Sequence, residues 1–193
     1  VNYMINNFSI EEIIGVGTCL EYGRVEGKIT ENTKCKPTTN YGRGKLKFYK
    51  YLNNVCNKNH IRYKWARLFY NYGYNQKKNT LLKQLSVALE NKEKIFHMSA
   101  GNQKRDYLPI KRVVYGLKQL ILSQNFRGSV NISSGESISI NKLVSLYLSK
   151  KKQSIKIVNG SLRMPEYEAF NFWGSDDLYL KEIDKEKLLK SYF

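Results

Sequence analysis

IIGVGTCLEYG, from Ile13 to Gly23, decides how the rest of the chain is read. An apolar run leading into Gly-x-Gly opens like a dinucleotide-binding turn, where backbone glycines meet a pyrophosphate at a helix N-terminus. The third glycine of that pattern falls on position 20, which is Leu20. No helix start follows; Glu21-Tyr22-Gly23-Arg24 and Glu26-Gly27 punctuate a loop. No acidic residue ends a second strand about 20 residues on, where a dinucleotide's ribose needs one. The stretch is therefore a buried strand, Glu11 to Thr18, that ends on small residues.

Outward from that strand, helices and strands alternate. Pro37-Thr38-Thr39 opens a helix with a threonine as N-cap, and Tyr41, Lys45, Phe48, Tyr49, Leu52, Val55 and Cys56 recur at helical spacing. His60–Phe69 reads as the next strand, residues 80–90 as an amphipathic helix, and 94–99 as a strand. A helix over about 111–124, a strand over 129–133, a Ser-capped helix and a strand over 154–158 follow, then a charged helical tail. This order predicts an α/β fold with a largely parallel sheet.

The 193 residues are 41% hydrophobic, enough for a core. No run of about 18 apolar residues predicts a membrane span, and VNYMINNFSIEE lacks the design of a signal peptide. Cys19, Cys35 and Cys56 form no Cys-x-x-Cys pair, and His60 and His97 stand far apart, so neither a metal site nor a disulfide framework is expected. A reducing cytoplasm is the expected compartment. The net charge of +17 is spread over nearly every segment, with Lys150-Lys151-Lys152 the only basic triplet. It reads as a solvated surface that favours a diphosphate substrate, not as a nucleic-acid site.

Tyr41-Gly42-Arg43-Gly44-Lys45 is a Tyr-x-x-x-Lys, and on a helix i and i+4 share a face. Lys45 then sets a cation where it favours the phenolate of Tyr41, which suits Tyr41 to general acid–base work. Tyr74/Lys78, Tyr107/Lys111 and Tyr147/Lys151 have the same spacing, so the pattern alone is not specific. Context singles out the first pair: Thr18 ends a strand upstream, and Glu31 and Pro37 stand in the loop between.

In that order, Thr18, Tyr22-Gly23, Glu31, Pro37 and Tyr41-Gly42-Arg43-Gly44-Lys45 resemble the extended short-chain dehydrogenase/reductases, the nucleotide-sugar epimerases, dehydratases and reductases. Further matches are Arg67-Leu68-Phe69-Tyr70-Asn71-Tyr72-Gly73, Gly101–Tyr107 with Arg105-Asp106, Val130–Glu136, Ser139-Ile140, Pro165–Glu168 and Phe172-Trp173-Gly174. The resemblance spans nearly the whole chain. It implies the C-terminal part of a Rossmann-like, doubly wound parallel sheet plus a smaller α/β substrate-binding domain. Residues 1–70 and 108–135 would be the remaining half of an NAD(P)-binding domain, and 71–107 and 136–193 the nucleotide-sugar domain. The family's Gly-x-x-Gly-x-x-Gly unit would precede residue 1, so the chain, which opens on Val, is expected to be a portion whose isolated form does not turn over.

By position, the resemblance makes Thr18, Tyr41 and Lys45 catalytic, with Tyr41 and Lys45 also meeting NAD or NADP. Tyr70, Asn71, Thr18, Arg105 and Glu168 would bind the nucleoside-diphosphate sugar, Arg105 at the diphosphate or ribose. Gly15 and Gly17 would keep the backbone slim near the nicotinamide. Thr18-Cys19-Leu20 replaces the Thr-Asp-Glu of 4,6-dehydratases, which disfavours dehydration, and Cys19 reads as a small buried residue. Tyr70 stands where the family has Asn, and Arg112 where it has Asp. The expected activity is reduction of a 4-keto-6-deoxyhexose nucleotide, of the 6-deoxytalose 4-dehydrogenase type, for surface-polysaccharide (O-antigen) synthesis. A 4-epimerase and an inactive portion of such an enzyme are the alternatives. A cytoplasmic homodimer is expected of the complete enzyme.

Overall fold

The strand predicted at Glu11–Thr18 forms as β1 (Glu12–Thr18), after a short helix α1 (Asn2–Asn7) that buries no residue. The computed structural model describes residues 1–73, 75–164 and 166–175; the expected C-terminal helical tail, Tyr74 and Pro165 lie outside these. A 3-10 turn (Cys19–Glu21) ends β1, and β2 (Gly27–Ile29), α2 (Asn40–Lys58), β3 (Arg62–Leu68) and β4 (Tyr70–Tyr72) follow. Next come α3 (Leu81–Glu90), β5 (Ile95–His97), β6 (Lys104–Arg105), β7 (Tyr107–Pro109) and α4 (Ile110–Leu122). The rest is β8 (Gly128–Ile132), β9 (Ile138–Ser139), α5 (Ile140–Lys151), β10 (Lys156–Val158) and β11 (Phe172–Gly174).

The central sheet is parallel, in the order β1-β3-β8. Its register aligns the strand ends: Thr18 pairs with Leu68, and Leu68 with Ile132. All three chains therefore leave the sheet side by side at its carboxyl edge, where open α/β sheets bind ligands. The remaining strands pair two by two: β10 with β5, β11 with β2 and β4 with β7 in parallel, and β6 with β9 antiparallel.

β3 is buried without a break from Tyr63 to Arg67, because helices cover both faces of the sheet. On one face, Leu52 and Cys56 of α2 pack on Tyr63 and Trp65. On the other, Val113 and Leu120 of α4 pack with Ala66, Val130 and Ile132. Each such fully buried aliphatic side chain contributes about 1.5–3 kcal/mol. Lys64 is buried in mid-strand, and its ammonium caps the end of α4 by donating to the carbonyls of Leu120 (2.8 Å) and Ser123 (2.6 Å) while pairing with Glu12. A separate cluster joins Leu85 and Ala88 of α3, Phe96 of β5, Met98, and Ile140 and Val144 of α5. No helix among the described residues is long and apolar enough to cross a membrane.

Candidate active site

Thr39 caps α2 by accepting the Gly42 N–H at 3.0 Å, which fixes where the helix begins. Gly42 has no Cβ to spare: one would overlap the Leu20 carbonyl, so the first turn of α2 lies directly on the turn that follows Thr18. One helical turn on, Lys45 Nζ donates to the Val16 carbonyl at 2.9 Å and stands 5.9 Å from the centre of the Tyr41 ring. Contacts at Leu20 and Val16 thus bracket Thr18, and the α2 N-terminus brings Tyr41 and Lys45 to the end of β1. Tyr41 is 57% exposed, whereas Thr18 is nearly buried. Thr18 Oγ1 accepts the Leu20 N–H at 3.4 Å.

The glycines of the opening stretch have a task in packing. Gly15 and Gly17 lie opposite Trp65 and Arg67 on β3. A Cβ on either would overlap the Trp65 indole, and one on Gly17 would also meet Glu21 Oε1. They make room for Trp65 inside the protein. Tyr22-Gly23 is likewise constrained, since Gly23 has a φ of +80° and any side chain there would strike the Lys36 carbonyl.

Under the strand end lies a buried network that motif reading missed. Glu21 is fully buried and accepts from the Thr18 N–H (2.9 Å), Trp65 Nε1 (3.1 Å) and Arg67 Nε (2.9 Å). Arg67 also donates to Tyr22 Oη and Ser129 Oγ, and Tyr22 donates to Asn131. Glu31 accepts the Asn131 N–H and the Ser175 hydroxyl, so the loop carboxylate of the motif is an anchor between β8 and β11. An acidic residue directly after a buried strand, with Arg67 in the next strand, was the available signal.

The second group of expected residues lines a cavity of about 400 Å³. Tyr70, Asn71, Arg105 and Glu168 contribute to its wall, with Gln103 and Arg163 among residues the motifs had not singled out. Thr18, Tyr41 and Lys45 are not in this lining. Arg105 is 1% exposed and all five of its N–H groups are engaged. Nε and Nη2 donate to Glu168 Oε2, Nη1 to the carbonyls of Lys104 and Phe170, and Nη2 also to Met164 Sδ. The guanidinium stacks over Phe172 at 5.0 Å. Glu168 Oε1 accepts from the Tyr70 hydroxyl. Burial, then Cys19 and Glu168 nearby, push the Tyr70 phenol well above its usual range, which keeps it a donor.

Cys19 directly follows Thr18. It is buried, and desolvation followed by the carboxylates of Asp106 and Glu168 raises its thiol far above the usual range, so it is an inert neutral group. Asp106 accepts the N–H groups of Ser134 (2.8 Å) and Gly174 (3.1 Å), tying β11 to the loop after β8. Complete burial pushes its carboxyl up to about 7.

Comparison with known proteins identifies the family and the fold. The family described as NAD dependent epimerase/dehydratase matches residues 2–133. An uncharacterized UDP-glucose epimerase, YtcB of Bacillus subtilis (strain 168), is 29% identical over 139 residues, which cover 72% of this chain and 44% of that protein. UDP-glucuronic acid 4-epimerase from Bacillus cereus, solved with UDP-glucuronic acid and NAD, superposes with a TM-score of 0.84 at 20% identity, over 98% of this chain and 62% of that one. RMD from Pseudomonas aeruginosa, complexed with NADPH, gives 0.82 at 19% identity, over 96% and 66%. The chain thus spans less than half of the curated relative it matches.

Proposed function

The chain belongs to the NAD dependent epimerase/dehydratase family, and from that premise we propose that it carries the substrate side of an NAD(P)-dependent enzyme acting on a nucleotide sugar. The observation that carries this is the bracketing of Thr18, at the carboxyl end of β1, by the start of α2, which bears Tyr41 and Lys45. The residues fit the nicotinamide end of such a cofactor: an ammonium already anchored on the strand-end carbonyl of Val16, beside an exposed phenol. When bound, the nicotinamide supplies or accepts hydride.

Everything else falls to this chain. Tyr41 gives a proton to the sugar's carbonyl oxygen, or takes one from its hydroxyl. Lys45 holds the cofactor's ribose and keeps positive charge beside Tyr41. Thr18 accepts the Leu20 N–H, which leaves its own hydrogen to bond the reacting oxygen. Glu21 holds the Thr18 amide in place from below. At the other end, Arg105 acts through Glu168 and the cavity wall, since its donors are engaged internally. The division into 1–70 with 108–135 and 71–107 with 136–193 is part of the same proposal, supported by the separate cluster of α3, β5 and α5.

The reaction we favour is reduction of a nucleoside-diphosphate 4-keto-6-deoxyhexose, in a cytoplasmic homodimer serving surface-polysaccharide synthesis. Thr18-Cys19-Leu20, without the acid pair of a dehydratase, supports it. Epimerisation at C4 is the second reading, favoured by the relatives described as UDP-sugar epimerases. Protein expressed from its complete reading frame, given a 4-keto sugar nucleotide and NADPH, should oxidise one NADPH per sugar. Inversion of a UDP-sugar without net cofactor oxidation would replace the reductase by the epimerase.

A further inference from the structure

The net charge of +17 runs along the whole chain, but the fold gathers part of it on one edge. β5 and β10 pair in parallel, with Ile95 beside Lys156, and the Lys156 N–H donates to the Lys94 carbonyl at 3.2 Å. The amino ends of the two strands therefore lie side by side. A helix leads into each strand through a short link, α5 into β10 and α3 into β5, so both helix C-termini come to that same edge. One unit brings Lys92 and Lys94, the other Lys150, Lys151, Lys152 and Lys156, and all six are exposed. The acids beside them are Glu90 and Glu93, which accept from Ser86 and Asn91. None of the six lysines forms a salt bridge among the described residues.

Lys92 and Lys152 end their helices in left-handed backbone, with φ of +56° and +52°. Each is followed by the bond that closes a Schellman turn, from Glu93 N–H to the Ala88 carbonyl and from Gln153 N–H to the Leu148 carbonyl. Glycine is the usual residue there, because a Cβ strains that conformation. The helix dipole favours a cation in the last turn, which accounts for Lys150 and Lys151. Lys94 and Lys156 stand beyond the helix ends, where that effect has faded. Residues 90–95 and 149–156 contain no arginine and no aromatic residue, the groups that fork onto phosphates and stack on bases. All the positive charge is carried on flexible ammonium stems, which suit a flat surface of negative charge. A second copy of this chain, equally basic, would be repelled. We propose that this edge is a peripheral docking surface for anionic lipid headgroups. Ile95, 42% exposed beside Lys156, adds apolar contact. At the other end of β5, His97 lines the cavity, so docking here leaves the cavity uncovered.

Each lysine held near an anionic bilayer strengthens binding about fivefold. Protein expressed from its complete reading frame should sediment with vesicles of one-third phosphatidylglycerol and two-thirds phosphatidylcholine, and not with phosphatidylcholine alone. Salt at about 1 M, where the Debye length is about 3 Å, should release it. Lys94→Gln with Lys156→Gln should weaken vesicle binding about 30-fold. Lys92→Gly with Lys152→Gly should weaken it as much while raising the melting temperature, because glycine relieves the left-handed positions. Lys58→Gln with Lys118→Gln makes the same change in net charge on α2 and α4, and should weaken binding less than about threefold. An equal loss in that control pair, or no sedimentation of the wild type, would overturn the lipid surface. Unchanged binding in either of the other pairs would do the same. Tighter binding to a short DNA duplex than to the vesicles, lost in both of those pairs, would assign the edge to nucleic acid instead.

Discussion

The cavity and the strand end solve opposite problems with similar residues. In the cavity wall, Arg105 is buried and hydrogen-bonded at every donor, Glu168 is partly buried and paired with it, and Tyr70 is tied to Glu168. At the strand end, Tyr41 is largely exposed, and among the described residues the Lys45 ammonium makes one hydrogen bond, to the Val16 carbonyl. A buried charge is tolerable only when partners replace the water it has lost, so the wall is rigid by necessity. A group that exchanges protons must be able to change its charge, and exposure with few partners leaves it that freedom. The same kinds of side chain, phenol and cation, thus become wall in one place and reagent in the other.

Separating the two roles is the sharpest way to break this contrast. Tyr41→Phe, in protein expressed from the complete reading frame, should lower kcat by about 10²–10⁴-fold and leave UDP affinity unchanged. A parallel loss of UDP binding would mean that Tyr41 belongs to the wall. Glu168→Ala should do the reverse, leaving Arg105 buried without its partner at a cost of about 3–5 kcal/mol. Urea unfolding should reveal it, together with weakened UDP binding; unchanged stability would show that the wall is not held by this pair.

The smallest expected effect concerns Asp106, which joins β11 to the loop after β8. Burial raises its carboxyl from an ordinary 3.8 to about 7. A raised folded-state value means that the stability it contributes is full below about 3.8 and is lost as pH rises through about 7. Wild-type melting temperature should therefore fall from pH 4 to pH 8 through this group. Asp106→Asn cannot ionise and should flatten that slope, and an unaltered slope would assign it to other residues.

Four Tyr-x-x-x-Lys spacings stood in the chain, and local geometry does not separate Tyr147/Lys151 from Tyr41/Lys45. Lys151 lies 5.8 Å from the Tyr147 ring, as Lys45 lies 5.9 Å from Tyr41. What distinguished Tyr41 was the order of Thr18, Tyr22-Gly23, Glu31 and Pro37 before it, which is information written along the chain. The strands and helices were legible for the same reason, since periodicity and caps are local. α1, six residues that bury none, and the short strands β2, β4, β6, β7, β9 and β11 were not, because strands of two or three residues are readable only where an apolar run extends beyond them, as around β5 and β10. The Glu21–Trp65–Arg67 network joins residues more than 40 positions apart, which no spacing rule connects.

The sequence by itself determined the alternation of strands and helices, the rejection of a phosphate turn at Gly15-Val16-Gly17, and the set of candidate residues. Only the tertiary structure decided what those glycines accommodate, that Arg105 spends its donors inside the protein, and that Tyr70 and Glu168 share a cavity wall with it. The reason is physical. Helical and strand periodicity are properties of neighbouring residues, but which donor meets which acceptor, and which side chain fills the space a glycine leaves, depends on packing distant segments at near-crystalline density.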